Sequence, residues 1–264
     1  MSDRIERYYS QRVKNLFNHI HDFEVDISES SLHDFRVELK KIKAVFKFLK
    51  FVYGKQEIKK ITHLLDLIFQ EAGYIREQQL MQSWIKENTL SEIEKKYFPE
   101  KLLKSTITSF HDKFSEYKKK LDELLKQYNK LIEKTNQIVA DQYVMKLKHS
   151  IEKKLYKKKS EAEWHELRKI IKQWLYASNW VTERDSSEIS QLYPYYNKLQ
   201  EAIGVWHDKI TIRESLLTMQ AHLSKELPIQ KDYAIALKKI NASIKYTSKE
   251  VEQLLNKFKQ LELN

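Results

Sequence analysis

The stretch S31-L-H-D-F-R-V-E-L-K-K-I-K-A-V-F-K-F-L49 places a narrow stripe of basic side chains between apolar ones. Drawn as a helix at about 100° per residue, it brings one histidine, one arginine and three lysines within an arc of about 80°. These are His33, Arg36, Lys40, Lys43 and Lys47. Apolar residues flank the arc on both sides, whereas an exposed amphipathic helix gathers its charges on a broad outer face. The stretch is therefore predicted to be a helix whose basic stripe faces something other than bulk solvent.

The composition predicts an all-α protein. The chain has 264 residues, of which 41% are apolar and 32% charged, with only three glycines and three prolines. Sheet proteins of this length usually need many turn residues, so long helices joined by short polar loops are expected. Helices are predicted near residues 3–21, 31–53, 56–87, 90–130, 133–158, 161–181, 188–222 and 230–262.

Local signals place some of the helix ends. Pro99, Pro194 and Pro228 are expected to mark starts or breaks of helices, because proline lacks the backbone N–H that a helix interior uses. The segment S160-E-A-E163 has the spacing of a capping box, and Ser31 with Asp34 offers a weaker one. The stretch S28-E-S-S31 is interpreted as a loop.

Several classes of protein are disfavoured by the totals. With no cysteine, neither a disulfide framework nor a thiolate metal site is expected, and a reducing compartment is the natural expectation. The first residues lack the apolar core of a signal peptide, and no run approaches the roughly 20 apolar residues that span a bilayer. We expect a cytoplasmic protein without a membrane partner. Its net charge of +11 favours polyanionic partners, though only weakly.

The excess positive charge is concentrated in two segments at similar places in the two halves. Residues 33–60 hold nine basic and three acidic residues, and residues 146–172 hold ten and four, which gives +6 for each. This coincidence suggests an internal repeat. We interpret the chain as a single domain over residues 1–264, built from two copies of one helical unit, residues 1–132 and 133–264.

Two motifs support the repeat. The segment L32-H-D-F-R-V-E-L-K40 aligns with W164-H-E-L-R-K-I-I-K172, so that His165, Arg168 and Lys172 match the first half of the stripe. The segment F69-Q-E-A-G-Y-I-R-E77 aligns with L199-Q-E-A-I-G-V-W-H-D208, which has one extra residue before its glycine. The interval from histidine to glycine is 40 residues in one half and 39 in the other.

The stripe predicts a polyanionic ligand. Burying unpaired cations costs several kcal/mol each, and like charges at helical spacing repel one another. A wet groove or channel that holds a polyanion resolves both problems. From His33 to Lys47 a helix rises about 21 Å, which exceeds a single phosphate and matches a chain of phosphates. In the second copy Leu175 and Asn179 stand where lysines stand in the first, so that stripe is shorter.

The predicted ligand-binding residues include neighbours that extend both stripes. They are His33, Arg36, Lys40, Lys41, Lys43, Lys47, His165, Arg168, Lys172, Arg12, Lys146 and Lys153. Arginine grips phosphate oxygens with a planar fork, and lysines act as mobile point charges along a flexible polyanion. A nearby anion would favour the protonated form of the two histidines.

The two copies of H-x-x-R-x-x-x-K, each followed some forty residues later by Q-E-A-G or Q-E-A-x-G and an acid, resemble the CHAD domain family, the conserved histidine α-helical domains. The resemblance implies two helical bundles related by a pseudo-twofold axis, with a basic central cavity or pore. It also implies binding of inorganic polyphosphate and association with polyphosphate granules. The chain departs from the family pattern at Gln173 and Leu175, where basic residues are usual, and at Arg76-Glu77, where R-D or N-D is usual.

Other interpretations remain open. The charge would permit nucleic-acid binding, although the narrow flanked stripe does not favour it. A polyphosphatase or triphosphatase would need carboxylates to hold a divalent metal, and no acidic cluster lies near either stripe in the sequence. We therefore expect a non-enzymatic protein with no metal and no cofactor. Trp164, Trp174, Tyr176 and Trp180 are interpreted as core residues. Gly73 and Gly204 are interpreted as close-packing or turn positions, and Glu77 and Asp208 as groups that orient the cations.

Overall fold

The structure is a computed structural model that describes residues 3–26, 28–155, 160–180, 187–220 and 222–261. These residues form α-helices joined by short turns and contain no β-strand, so the all-α prediction is confirmed. The helices within the described ranges are α1 Asp3–Val25, α2 Glu29–Tyr53, α3 Lys59–Glu87, α4 Ser91–Tyr97, α5 Glu100–Asp112, α6 Phe114–Glu133, α7 Gln137–Leu155, α8 Glu161–Ala177, α9 Ser187–Gln220 and α10 Leu227–Leu261.

The helix predicted over residues 90–130 is in fact three helices, α4, α5 and α6. Pro99 causes the first break, because it takes an extended conformation at φ −64° and ψ 137° and becomes the N-cap of α5. Lys113 separates α5 from α6 by a single residue. The C-terminal end predicted near residue 158 lies outside the described residues, and α8, predicted to end near residue 181, ends at Ala177.

Pro228 lies in the first turn of α10, as predicted, but the prediction for Pro194 is wrong because this residue lies inside α9. Proline there removes one backbone hydrogen bond from the helix. The neighbouring aromatic packing offsets that loss: Tyr195 stacks on Phe258 of α10 at 4.6 Å between ring centroids, and Tyr196 is fully buried.

The start of α2 differs from the prediction by one turn. Ser28 is its N-cap, and the capping box joins Ser28 to Ser31, so the segment interpreted as a loop is the first turn of the helix. The weaker box predicted from Ser31 is therefore wrong. The box at the start of α8 is confirmed: the Ser160 backbone N–H donates to Glu163 Oε2 at 2.8 Å, and the Glu163 N–H donates to Ser160 Oγ at 3.4 Å.

Helix α2 is buried along both apolar flanks of its basic stripe. On one flank Phe46 lies edge-on to Tyr9 of α1 at 6.2 Å and to Tyr128 of α6 at 5.4 Å. On the other flank Phe48 packs against Tyr143 of α7 at 5.4 Å and Trp180 at 6.0 Å. The two apolar flanks therefore have separate partners, and the stripe between them faces α3 and α8.

Helix α8 is fixed from both sides. Its Trp164 packs edge-on against Trp206 of α9 at 4.8 Å, and Trp174 against Tyr196 of α9 at 5.0 Å. Trp164, Trp174 and Trp180 are buried, which confirms them as core residues. Tyr176, predicted as a core residue with them, is only partly buried against the core. Towards α2, the buried Gln173 donates from Nε2 to the carbonyl oxygen of Ala44 at 2.8 Å. This hydrogen bond ties the two motif helices together.

Candidate functional site

A cavity of about 240 Å³ lies between α2, α3 and α8, and both basic stripes contribute to its wall. Six lysine and arginine side chains line it, and none of its lining residues is acidic. The lining residues are Lys40, Lys43, Ala44, Lys47, Phe69, His165, Arg168, Lys169, Lys172, Gln173 and Tyr176. A larger cavity of about 560 Å³ between α3 and α5 has one lysine and one glutamate and lacks this concentration of positive charge.

The two motif arginines are held in the same way by the two motif glycines. Arg36 donates from Nη1 to the carbonyl oxygen of Phe69 at 3.1 Å, and Arg168 donates from Nε to that of Gln200 at 3.2 Å. A Cβ atom built on Gly73 would lie 3.1 Å from Arg36 Nη1, and one on Gly204 would lie 2.9 Å from Arg168 Nη2. Glycine is thus needed at both positions for the guanidinium to lie against the helix backbone, as close-packing positions require.

Phe69 of α3 contacts three cations of the first stripe. Its ring centroid lies 4.6 Å from Arg36 Cζ, 5.7 Å from Lys40 Nζ and 4.3 Å from Lys43 Nζ. Such distances are those of cation–π interactions. Sequence analysis did not single out Phe69, although it is the first residue of the F69-Q-E-A-G motif. In the second half the aligned residue is Leu199, and Tyr176 instead lies 5.9 Å from Lys172 Nζ.

The lysines of the two stripes interact across the cavity. Burial, followed by repulsion from Lys172, Arg36 and Arg168, lowers the pKa of Lys40 to about 7. Burial and then Arg168 lower the pKa of Lys172 to about 8. Burial, with repulsion from Lys43 and Lys169, also lowers the pKa of Lys47. Burial and mutual repulsion therefore make the cavity wall an unfavourable place for positive charge.

The acids that follow the glycines lie within electrostatic reach of the motif arginines. Burial raises the pKa of Glu77, and the positive charge of Arg36 opposes that rise. Burial lowers the pKa of Arg168, and the negative charge of Asp208 opposes that change. These interactions fit the predicted role of the two acids in orienting cations. A further acid, Asp66 of α3, was not singled out from the sequence, and its Oδ1 lies 2.6 Å from Lys43 Nζ.

The two motif histidines differ in their surroundings. His165 stacks on His207 of α9 with ring centroids 4.3 Å apart, and its Nδ1 is buried without a hydrogen-bond partner among the described residues. Burial, followed by repulsion from His207, lowers the pKa of His165 to about 4, so the ring is neutral near pH 7. His33 is more exposed, and partial burial followed by Arg76 and Lys40 lowers its pKa. Sequence analysis missed His207, which aligns with Arg76.

Six of the twelve predicted residues do not line the cavity. Arg12 and Lys41 both pair with the buried Glu38, Arg12 Nη1 at 3.2 Å and Lys41 Nζ at 2.5 Å from its Oε1, because a buried carboxylate needs partners. Both therefore lie at Glu38, outside the lining of this cavity, and their role at the ligand stays a prediction. Arg36 lies over the Phe69 ring, and His33 lies nearer the start of α2; neither lines this cavity.

The two lysines predicted from α7 are also placed elsewhere. Lys146 is exposed and lies over the Phe51 ring at 4.7 Å, and Lys153 is exposed. Both lie outside the cavity wall because the face of α7 towards α2 is apolar, with Tyr143 and Val144 buried. The remaining predicted residues, which do line the cavity, are Lys40, Lys43, Lys47, His165, Arg168 and Lys172.

The shorter second stripe has a structural reason. Leu175 is buried in the core with 4% of its surface exposed, so a lysine there would be buried without a partner. Asn179 lies just beyond the end of α8 at Ala177, where its Nδ2 donates to the carbonyl oxygen of Leu175 at 2.7 Å. The fourth position of the stripe is therefore lost to the core, and the fifth lies beyond the end of the helix.

The profile of the CHAD domain matches residues 11–217, a range that contains every residue of the cavity wall. The chain belongs to the CHAD domain family. Its structure resembles the crystal structure of the CHAD domain from the plant Ricinus communis, with a TM-score of 0.76 and 13% sequence identity over 97% of this chain and 91% of that one. At this identity the likeness shows the CHAD fold. No curated protein matches the sequence.

Two features of the described residues bear on membrane insertion and on metal binding. Within them, no helix has the length and apolar character needed to cross a membrane. The same residues contain no group of three or more histidine, aspartate or glutamate side chains placed to hold a metal ion.

Proposed function

We propose that this CHAD domain binds inorganic polyphosphate in the cavity between α2, α3 and α8. The observation that carries the proposal is the lining itself: six lysine and arginine side chains from two distant segments, with no carboxylate among the lining residues. A polymer of phosphate would supply the missing negative charge along its whole length.

The lowered lysine pKa values support an anionic ligand. Lys40 and Lys172 are partly desolvated and repel each other, so their protonated forms are costly in the empty cavity. An anion close to both would recover that cost by Coulombic attraction. A linear anion also matches the arrangement, because the lysines of α2 follow one another along the helix from Lys40 to Lys47 over about 10 Å.

The proposal treats residues 1–264 as one domain made of two copies of a helical unit, residues 1–132 and 133–264, related by a pseudo-twofold axis. The matching contacts of Arg36 with Gly73 and of Arg168 with Gly204 support this interpretation. The cavity would then be the central site at which the two copies meet, and one polymer would contact arginines or lysines of both.

The proposed role is non-enzymatic. Phosphoryl hydrolysis normally uses carboxylates that hold a divalent metal beside the phosphate, whereas the lining of this cavity contains lysines and arginines but no carboxylate. Incubation of the protein with polyphosphate and magnesium or manganese should release no phosphate above background. Release that Arg168→Ala abolishes would replace the binding role with an enzymatic one.

The test of binding is a titration with long-chain polyphosphate at two salt concentrations. We expect Arg168→Ala to weaken binding at least about tenfold, because charge-assisted hydrogen bonds to phosphate are worth about 1.5–3 kcal/mol. Lys153→Ala, which removes an exposed cation outside the cavity, is the matched control and should bind as the parent does. Equal binding by the parent and Arg168→Ala would reject the site.

Competition separates polyphosphate from nucleic acid. Unlabelled polyphosphate should displace labelled RNA or DNA far more readily than the nucleic acids displace polyphosphate, and the reverse order would favour a nucleic-acid-binding role. We further propose that the protein acts in the cytoplasm at polyphosphate granules. A fluorescent fusion that colocalises with stained polyphosphate, and an Arg168→Ala fusion that does not, would support this location.

A further inference from the structure

A second cavity of about 210 Å³ adjoins the first and shares two lysines with it. Lys43 and Lys47 line both cavities. The second cavity lies at the C-terminal end of α2, beside the turn into α3. Its other lining residues are Phe46, Lys50, Lys55, Ile58, Thr62 and Asp66.

We propose that this second cavity is an outer phosphate subsite, into which a polyphosphate chain continues from the cavity between α2 and α8. The inference rests on the proposed function and deepens it, because it assigns a path to the polymer beyond the first cavity. The two cavities together are lined by eight lysine and arginine side chains and one carboxylate, that of Asp66.

The basic stripe itself extends into the outer cavity. Lys50 follows Lys47 by three residues, so Lys43, Lys47 and Lys50 lie on one face of α2 with a rise of about 10 Å from first to last. Gly54 then ends α2 in a conformation with φ +88°, and Lys55 follows in the turn and lines the same cavity. Lys50 and Lys55 are exposed, and neither forms an ion pair with a described residue.

Asp66 lines the second cavity and pairs with a lysine that lines both cavities. Its carboxylate pairs with Lys43, one of the two shared lysines, at 2.6 Å, and its side chain is 56% exposed. In the empty protein a carboxylate oxygen therefore occupies one of the positions that a phosphate oxygen would take beside Lys43. Because the Asp66 side of this ion pair is open to solvent, the carboxylate stays hydrated when an incoming phosphate displaces it from Lys43, and the displacement costs little.

The outer subsite is tested with the full chain carrying Lys50→Gln and Lys55→Gln together. The control carries Lys59→Gln and Lys60→Gln, which remove two exposed charges from the start of α3 without touching either cavity. Both proteins are titrated with tripolyphosphate and with long-chain polyphosphate. Tripolyphosphate is short enough to remain in the first cavity, whereas the long chain reaches the outer one.

We expect the Lys50/Lys55 variant to bind long-chain polyphosphate about tenfold more weakly than the parent, with its slope of log affinity against log salt reduced by about 1 to 2. Its affinity for tripolyphosphate should match the parent. An equal loss in the control variant, an equal loss for tripolyphosphate, or no loss for the long chain would each overturn the outer subsite. If Arg168→Ala also leaves long-chain binding intact, the proposed function fails as well.

Discussion

The guanidinium of Arg168 packs directly against Gly204: a Cβ atom built on the glycine would lie 2.9 Å from Arg168 Nη2 and 3.1 Å from Nε. Real Cβ atoms do not make contacts this short, so any larger residue at position 204 must move the arginine. The glycine of the motif is therefore a positioning residue for a cation in the cavity wall, and its effect on binding can be separated from its effect on the fold.

Gly204→Ala should displace the Arg168 side chain and weaken polyphosphate binding while leaving the protein folded. The clashing atoms lie at the far end of a flexible side chain, and alanine favours a helix over glycine by about 1 kcal/mol, so thermal stability should not fall. We expect an affinity loss approaching that of Arg168→Ala. Gly73→Ala, where the closest contact is 3.1 Å, should cause a smaller loss. A variant with lowered melting temperature and unchanged affinity would contradict this interpretation.

Polyphosphate affinity should fall as pH rises above about 7. Burial is the main reason that the pKa of Lys40 is lowered to about 7. Repulsion comes from Lys172 and Arg168 of α8 and from Arg36 of α2, the helix that also carries Lys40. Asp208 of α9 attracts the charge. Above that pH the empty protein releases the proton that phosphate binding requires, so binding must take a proton up. Below it the lysine is already charged and contributes no further pH dependence.

We expect at least about a tenfold loss of affinity between pH 7 and pH 9, because a proton taken up on binding changes the affinity by up to tenfold per pH unit. Lys40→Arg should reduce this dependence, since arginine stays protonated throughout the range, and Lys172, whose pKa is about 8, should supply the part that remains. Lys153→Arg serves as the control and should keep the parent profile. Identical profiles for all three proteins would show that Lys40 does not titrate in the cavity.

Phe69→Leu should weaken binding about fivefold, which corresponds to about 1 kcal/mol of lost cation–π interaction. The ring holds Arg36 and two lysines of the stripe in place, and leucine keeps most of the apolar volume without the π face. The measurement is a titration with long-chain polyphosphate, alongside circular dichroism to check helicity. Leu199→Val, at the aligned core position of the second half, tests a change in packing alone.

Asp66→Asn should strengthen binding about two- to fivefold, because it removes the carboxylate that pairs with Lys43 and leaves a residue of the same size. Glu87→Gln, at the far end of the same helix, makes the same change of net charge on an exposed residue and is the matched control. Weaker binding by Asp66→Asn would show that the carboxylate helps to position Lys43 and does not compete with phosphate.

The sequence predicted the parts of the site that lie on single helices. The 3, 4, 3, 4 spacing on α2 and the repeated H-x-x-R-x-x-x-K segment identified Lys40, Lys43, Lys47, Arg168 and Lys172, all of which line one cavity. Helical periodicity sufficed because one helix face is set by local geometry. The partners of those cations, Phe69, Asp66 and His207, lie on other helices, and their approach depends on tertiary packing that periodicity does not encode.

The same limit applies to contacts and helix breaks that the spacing does not show. Arg12 and Lys41 were assigned to the ligand because they lie near the stripe, yet the buried carboxylate of Glu38 lies between them and pairs with both. Nothing in the spacing of Glu38 shows that it is buried with 3% of its surface exposed. The break at Pro99 was recognisable as a proline signal, whereas the single-residue break at Lys113 has no comparable signal in the sequence.

The hydrogen bond from Gln173 to the carbonyl oxygen of Ala44 joins residues 129 positions apart, directly beside the cavity. A nascent chain that has not yet emerged as far as α8 therefore has only half of the binding wall, and polymer capture must await docking of the second half. A bound phosphate polymer would contact both halves of the cavity wall. Saturating polyphosphate should therefore slow the separation of the two halves and raise the midpoint of thermal unfolding.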